Sequence, residues 1–204
     1  MTKTTNDVNA LNMRDLADDP KQTAILEAAW TCFAAYGFRK TSMDDIAREA
    51  GMSRPAIYLQ YRNKGAIFRS LAQLFYDTAV ENVSAALSAP GPAAEQLKAA
   101  FLAQGGEILA SMLTSAHGME LLDSGKTEAS DIVETGESRL TSLYAQWLNA
   151  QVEAGRIRLD GDPDAVAGTM TSALKGIKME TPDYPTYCAR VGHLADLFGR
   201  GLAA

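Results

Sequence analysis

The sequence predicts an all-α protein, and three features of its 204 residues indicate this fold class. No stretch of strand length alternates apolar and polar residues, and the apolar residues recur with a helical period instead. All seven prolines fall between the periodic segments, so none of them interrupts a helix. With 47% hydrophobic and 22% charged residues, the composition is that of an ordinary globular protein. We therefore expect about nine helices around a packed core.

The first three predicted helices are short and are separated by glycines. Gly37 ends the first helix, and Gly51 ends the second because a tight turn favours the positive φ that glycine adopts readily. Ser42 (or Thr41) and Ser53 are the expected N-caps of the second and third helices. These helices are expected over about residues 21–36, 43–50 and 55–61.

Longer helices fill the rest of the chain. The Ala-Pro-Gly-Pro run at 89–92 and Gly155 are expected breaks, and Asp162 followed by Pro163 is a cap with a first-turn proline. The predicted helices span about residues 64–87, 93–113, 119–124, 130–154, 163–179 and 185–202.

The charge is distributed unevenly along the chain. The formal net charge of the whole chain is −6, but residues 20–66 carry seven basic and four acidic side chains, a net charge of +3. Residues 67–204 carry −7 and residues 1–19 carry −2. This asymmetry predicts that only the segment 20–66 contacts a polyanion.

Several classes of protein are disfavoured by the same composition. Two cysteines, Cys32 and Cys188, cannot form a disulfide scaffold. The sequence contains no run of about 18 apolar residues, so it predicts no membrane-spanning helix. The polar, acidic N-terminus lacks the apolar core of an export signal. We expect a cytoplasmic protein that does not bind membranes.

The segment 25–71 carries the functional signal. A helix of about eight residues, a turn with glycine and a second short helix form the helix-turn-helix pattern, whose second helix enters the DNA major groove. Ala47 and Ala50 allow the two helices to cross closely, and Ile46 and Ile57 can fill the core between them. The hydrogen-bond donors that this pattern places at helix starts and edges are Ser42, Arg54, Tyr58 and Lys64.

A set of spaced residues makes this signal more specific. The set is Phe33, Gly37-Phe38, Thr41-Ser42, Ile46-Ala47, Ala50-Gly51, Ser53, Ile57-Tyr58, Tyr61 and Lys64. With these residues at their spacing, the segment from about 20 to 75 resembles the N-terminal DNA-binding domain of the TetR family of bacterial transcriptional repressors. The rest of the chain agrees with that family in length and helicity.

The resemblance implies a role for each matching position. Ser42, Tyr58 and Lys64 match positions that bind DNA phosphates, and Tyr61 matches an aromatic that closes the small core. The other expected DNA-binding positions belong to the recognition helix: its cap Ser53, its base-facing first turn Arg54, Pro55 and Ala56, and the variable contact positions Leu59 and Gln60.

Two of these residues are the best candidates for reading bases directly. Arg54 can donate two hydrogen bonds to guanine, and Gln60 can form two hydrogen bonds with adenine. Each such contact discriminates against the wrong base by about 1–3 kcal/mol, whereas Leu59 could make an apolar contact with a thymine methyl. Tyr58 could instead be a core aromatic. Gly65 departs from the family, which often has an acidic residue there, and this could loosen the start of the fourth helix.

The last two predicted helices offer a route to dimerisation. They are apolar on a wide face and contain the small residues Gly168, Gly176, Ala195 and Gly199. The resemblance implies that they pair with their copies in a four-helix bundle, so we expect a homodimer on a palindromic operator. Alternatively, both helices pack only within one chain. The candidate interface residues are Met170, Leu174, Ile177, Val191, Leu194 and Phe198.

The fourth to seventh helices would then enclose a cavity for a small effector. Methionines and aromatics suit an apolar or aromatic ligand, although such residues at helical spacing also form ordinary cores. The candidate lining residues are Phe101, Met112, His117, Met119, Tyr144, Trp147 and Met170.

The sequence therefore predicts a ligand-responsive regulator, in the first place a repressor. Residues 1–19 are expected to form a flexible arm and residues 20–66 the helix-turn-helix domain, with the family pattern extending to about 79. Residues 67–204 are expected to form a larger ligand-binding and dimerisation domain. The alternative is an all-helical carrier or adaptor protein that does not bind DNA.

Enzymatic functions are disfavoured. Two histidines and two cysteines lie too far apart for a metal site, and neither a glycine-rich phosphate loop nor a nucleophile elbow is present. The run at 160–164 lacks the closing glutamate of a calcium loop, and we interpret it as a turn and helix cap. We expect neither a metal nor a cofactor.

Overall fold

The computed structural model describes residues 19–203, in which every regular element is an α-helix. The all-α fold class is confirmed. The expected arm, residues 1–19, lies outside the described residues except for Asp19. None of the described helices combines the length and the hydropathy that a bilayer span requires. The helices are α1 (Pro20–Tyr36), α2 (Met43–Glu49), α3 (Arg54–Gln60), α4 (Lys64–Ser88), α5 (Ala93–Thr114), α6 (Gly118–Glu128), α7 (Ser130–Glu153), α8 (Pro163–Glu180) and α9 (Tyr184–Gly201).

Side-chain caps begin several helices at the predicted positions. Ser42 and Asp45 form a capping box, since the Ser42 hydroxyl accepts from the Asp45 N–H and the Asp45 carboxylate accepts from the Ser42 N–H at 3.0 Å. Ser53 caps α3 and Asp162 caps α8, as expected. Asp19 caps α1 by accepting from the backbone N–H of residue 21, which the sequence analysis did not anticipate.

Helix α5 is interrupted in its middle. Gly106 has φ 56° and ψ −162°, a conformation outside the helical region and one that glycine adopts at little cost. The sequence predicted one continuous helix here. An added Cβ at this position would meet no atom within 4 Å, so the glycine serves the backbone conformation rather than close packing.

The chain packs into two compact units. Unit 1 contains the described part of Met1–Phe75 together with Glu107–Val133, and unit 2 contains Tyr76–Gly106 together with the described part of Glu134–Ala204. Each point at which the chain passes between the units lies inside a helix: α4, α5 or α7. The sequence predicts a functional boundary after residue 66, which does not coincide with the boundaries between these two units. That functional boundary stays a prediction.

The core of unit 1 is built around three phenylalanines. The ring centroids of Phe33, Phe38 and Phe68 lie between 5.1 and 5.9 Å from one another, in tilted and edge-on arrangements. Ile46 and Ile57 are completely buried beside them, which confirms the predicted core between α2 and α3. Leu121 of α6 and Ala129 belong to the same cluster.

The core of unit 2 combines edge-on aromatic contacts with buried polar pairs. Phe101 contacts Tyr144 and Phe198, at centroid distances of 5.5 and 6.1 Å. The Tyr144 hydroxyl donates to the Gln104 side chain at 3.0 Å. The Trp147 indole N–H likewise donates to a glutamine, at 3.1 Å, so both buried polar groups are satisfied.

Candidate nucleic-acid interface

Helices α2 and α3 form the predicted helix-turn-helix. The turn between them contains Gly51 at φ 63° and is closed by a hydrogen bond from the Met52 N–H to the Ala47 carbonyl at 2.9 Å. Ile57 is the buried residue of α3. The exposed side of α3 carries Tyr58, which is 43% exposed, and Leu59, which is 86% exposed. An apolar side chain so open to water is available for an apolar contact such as a thymine methyl.

Arg54 begins α3 and is held from two sides. Its Nη1 donates to Oδ2 of Asp44 at 3.2 Å, and its Nε lies 3.1 Å from Oδ1 of the same carboxylate. Its guanidinium carbon also lies 5.5 Å from the centroid of the Tyr58 ring. The pKa of Arg54 is raised by Tyr58 and then by the Asp44 charge, so the group stays cationic. Because Arg54 and Asp44 are both more than half exposed, water screens the ion pair and it contributes little to the stability of the fold.

Gln60, the other readout candidate, is half-buried and turned towards the start of α1. Its amide oxygen accepts from Gln22 at 3.3 Å, and its amide nitrogen donates to Asp19 at 3.4 Å. To read adenine, Gln60 would have to give up both hydrogen bonds. These partners lie 38 and 41 residues away along the chain, so no local sequence pattern predicts them.

Lys64 has a structural role that the sequence analysis did not predict. Its ammonium donates to the carbonyl oxygens of Phe38, Arg39 and Thr41 at 2.7, 2.9 and 2.8 Å. The ammonium also lies 4.7 Å from the centroid of the Phe38 ring. All three of its N–H groups are thereby engaged. In this arrangement Lys64 joins the start of α4 to the turn after α1 and has no donor left for a phosphate.

The remaining predicted DNA-binding residues lie around these groups. Ser42 is exposed, but its hydroxyl already donates to the Asp45 carboxylate at 2.6 Å, and this bond holds the pKa of that carboxyl below its usual range. Tyr61 is half-buried and packs against the core of unit 1, as predicted. Ser53 and Pro55 are exposed, and Ala56 is half-buried.

The predicted effector-pocket residues divide between the two units. Met112, His117 and Met119 belong to unit 1, and the other four belong to unit 2. Phe101, Tyr144 and Met170 are fully buried. Unit 2 contains a cavity of about 280 Å³ lined by Leu97, Trp147, Arg156, Ile157 and Leu202 together with small residues. Of the seven predicted lining residues, Trp147 lines this cavity and the other six do not.

The predicted dimer interface needs correction at three of its six residues, and the other three stay a prediction. Met170, Leu174 and Val191 are at most 3% exposed within the single chain, so they offer no surface to a second copy. Ile177, Leu194 and Phe198 are half-buried, and Phe198 packs on Phe101. The helical periodicity of α8 and α9 marks the face towards the chain's own core. What the sequence analysis missed is Leu197, which is 69% exposed and lies off that apolar stripe.

The segment that contains α2 and α3 is similar to known protein sequences. Residues 25–71 match the family model described as bacterial regulatory proteins, tetR family. The HTH-type transcriptional repressor Rv1474c of Mycobacterium tuberculosis is 40% identical over 53 residues, which cover 26% of this chain and 28% of that protein. The HTH-type transcriptional activator FasR of Mycolicibacterium smegmatis is 31% identical over 85 residues, 42% of this chain and 39% of that protein. The chain thus spans only about three to four tenths of the length of these relatives.

Solved structures resemble the chain over most of its length. A transcriptional regulator from Cytophaga hutchinsonii superimposes with a TM-score of 0.74 at 19% identity, covering 91% of this chain and 100% of that one. SmeT in complex with triclosan superimposes with a TM-score of 0.67 at 18% identity, covering 91% and 93%. At this identity the likeness establishes the shared fold.

Proposed function

We propose that this chain, a transcriptional regulator of the TetR family, is a repressor that binds a palindromic operator as a homodimer in the cytoplasm. We further propose that a small apolar or aromatic effector releases it from DNA. The observation that carries the proposal is α3, a helix with one buried residue whose exposed side presents Arg54, Tyr58 and Leu59. These side chains supply a guanine-reading cation, a phosphate-binding hydroxyl and an apolar contact for thymine.

The charge distribution supports binding through this end of the chain. Residues 20–66 carry a net charge of +3, whereas residues 67–204 carry −7. The acidic remainder is repelled by DNA, so the basic segment is the part that approaches the duplex. Ser42 and Tyr58 are the proposed phosphate contacts. Lys64 is left out of this set because its donors are engaged with three carbonyls.

The exposed surface of α9 supports homodimerisation. Ala189, His193 and Leu197 are all exposed and recur every four residues, so they share one face of this helix. An added Cβ at Gly176 of α8 or Gly192 of α9 would meet nothing within 4 Å, so a second copy can approach closely there. Two chains double the DNA contacts, and their two-fold symmetry matches a palindrome.

Unit 2 supports effector binding through its cavity. Its lining combines apolar side chains, among them Leu97, Ile157 and Leu202, with polar groups such as the Arg156 side chain, and the volume has room for a small aromatic molecule. SmeT, which shares the fold, is seen in complex with triclosan. Such a ligand releases DNA to the extent that it binds better to the conformer whose two α3 helices are wrongly spaced.

Selection from a randomised DNA pool tests the function. The wild-type protein should enrich a two-fold symmetric duplex with half-sites about one helical turn, or a multiple of it, apart. Arg54→Ala should weaken binding to this duplex about tenfold, an effect of about 1.4 kcal/mol within the range for a base contact. Arg158→Ala, which removes an exposed positive charge from unit 2, is the matched control and should leave binding unchanged. Failure to enrich any duplex at low salt would overturn the proposal and favour a carrier or adaptor.

A further inference from the structure

We propose that Asp44 is a specificity-determining residue, because its carboxylate positions the Arg54 guanidinium for reading a guanine. This inference rests on the proposed function and adds to it a residue outside the recognition helix. Asp44 lies in the first turn of α2, and Arg54 is the first residue of α3. The pair therefore spans the turn of the helix-turn-helix and connects its two helices through side chains.

The contacts restrict the position of the guanidinium. Oδ2 of Asp44 lies 3.2 Å from Nη1 of Arg54, and Oδ1 of Asp44 lies 3.1 Å from its Nε. The Tyr58 ring, one helical turn after Arg54, lies 5.5 Å from the guanidinium carbon. A long side chain at the start of an exposed helix would otherwise sample many rotamers. Between a carboxylate and a ring, Arg54 favours one position before any DNA is present.

The same contacts leave the guanidinium able to bind a base. An arginine side chain has five N–H donors, and the Asp44 carboxylate engages two of them, one on Nη1 and the one on Nε. The remaining donors are enough for two parallel hydrogen bonds to O6 and N7 of a guanine. Arg54 is also 63% exposed, so a base edge can reach it without displacing the core.

The charge of Asp44 has an effect on DNA affinity that does not depend on the sequence. Its carboxylate is 52% exposed and lies at the surface that would face DNA, where it repels phosphates of any sequence. This repulsion weakens binding to every sequence alike, so it cancels in the ratio of specific to non-specific affinity. Asp44 thus raises that ratio through the position of Arg54 and not through its charge.

The test compares Asp44→Asn with the wild type on two probes: the duplex selected by the wild-type protein and a scrambled duplex of the same composition. We expect the Kd for the scrambled duplex divided by the Kd for the selected duplex to fall about fivefold, as the loss of one immobilised side chain implies. The loss of a repelling charge should tighten binding to both duplexes alike, so it does not change this ratio. Glu49→Gln is the matched control, since Glu49 is exposed at the end of the same helix and has no hydrogen bond or ion pair with Arg54 in the described chain. It removes the same charge and should leave the ratio within about twofold of the wild type.

A double-mutant cycle separates positioning from bulk charge. In an Arg54→Ala background, Asp44→Asn should no longer weaken the preference for guanine at the position that wild-type selection enriches. Asp44→Glu keeps the charge but displaces the carboxylate by one methylene, so it should weaken that preference in the wild-type background. It provides a second test if Asp44→Asn folds poorly. An unchanged or higher Kd ratio in Asp44→Asn, or an effect equal to that of Glu49→Gln, would overturn the inference while the proposed function stands. If the wild type selects no duplex, the proposed function itself fails.

Discussion

The Glu120 carboxylate accepts a hydrogen bond from the backbone N–H of Arg39 at 3.0 Å, which connects the first turn of α6 to the turn between α1 and α2 within unit 1. The bond lowers the pKa of the Glu120 carboxyl, and the nearby His117 side chain, at 3.3 Å, adds a smaller effect. Gly37 lies against the same carboxylate, and a Cβ at this position would collide with it. The turn that precedes the recognition elements is thus shaped by a residue 81 positions further along the chain.

Gly37→Ala should destabilise the protein through both backbone strain and this collision. Gly37 has φ 82° and ψ 158°, a region that is essentially restricted to glycine and costs other residues about 1–3 kcal/mol. We expect the free energy of unfolding in urea to fall by about 2 kcal/mol. Gly125→Ala is the control, because its Cβ would meet only a Val133 methyl at 3.7 Å. In a Glu120→Ala background the collision is absent, so any remaining loss measures the strain. A change below about 0.5 kcal/mol would contradict the prediction.

Lys64→Met should destabilise unit 1 rather than reduce the number of phosphate contacts. The substitution removes a cation from three carbonyls and keeps most of the side-chain volume, so we expect a loss of about 2 kcal/mol in the free energy of unfolding. Lys40→Met, at an exposed lysine nearby, should have little effect. The slope of log K against log salt for DNA binding should not change with Lys64→Met. A slope smaller by about 1, with stability unchanged, would instead identify Lys64 as a phosphate ligand.

The pair formed by Arg69 and Asp131 predicts a dependence of stability on acid pH. Arg69 donates to both carboxylate oxygens at 2.7 Å and lowers the pKa of Asp131 to about 2. Because this pKa lies below the unfolded value of about 3.9, the pair stabilises the fold above about pH 4, and that contribution is lost as the pH falls through about 2. The stability difference between wild type and Asp131→Asn should therefore be present at pH 6 and shrink between pH 4 and 2. Glu153→Gln, at an exposed carboxylate in unit 2, should not show this shrinkage. A difference that is independent of pH would contradict the role of the pair.

Leu197→Asp should separate the proposed homodimer. A charge at a side chain that is 69% exposed in one chain should leave the fold intact but cannot be buried unpaired in an interface. Light scattering should give twice 21.8 kDa for the wild type and one chain for the variant. Val152→Asp, at an apolar residue of α7 that is 40% exposed, is the matched control and should remain dimeric. A dimeric Leu197→Asp, or a wild type with the mass of one chain, would contradict the prediction.

The features that the sequence predicted well are those determined by neighbouring residues. Caps such as Ser42 and Ser53, and the turn at Gly51, depend on interactions within five positions, so their rules can be applied to the sequence directly. The core position of Ile57 follows from the same local pattern. The interruption at Gly106 could not be foreseen, because its flanking residues continue a helical period on both sides.

The features that were missed depend on residues far apart in the chain. The three carbonyls bound by Lys64 lie 23 to 26 residues earlier, and no spacing rule connects them. Periodicity identified an apolar face on α8 and α9 but could not say whether that face meets the same chain or a second copy. Met170 and Val191, which lie on this face, are buried within the single chain.

The composition of unit 1 has a consequence for the construction of hybrid regulators. Leu121 and Ala129 complete the hydrophobic cluster around Phe33, yet they lie some fifty residues beyond the end of the first stretch of this unit at Phe75. A graft of the first 75 residues onto a foreign effector domain would leave this cluster open to water. Transplanting the proposed DNA-binding function therefore requires two discontinuous stretches, with residues 107–133 transferred together with the N-terminal one.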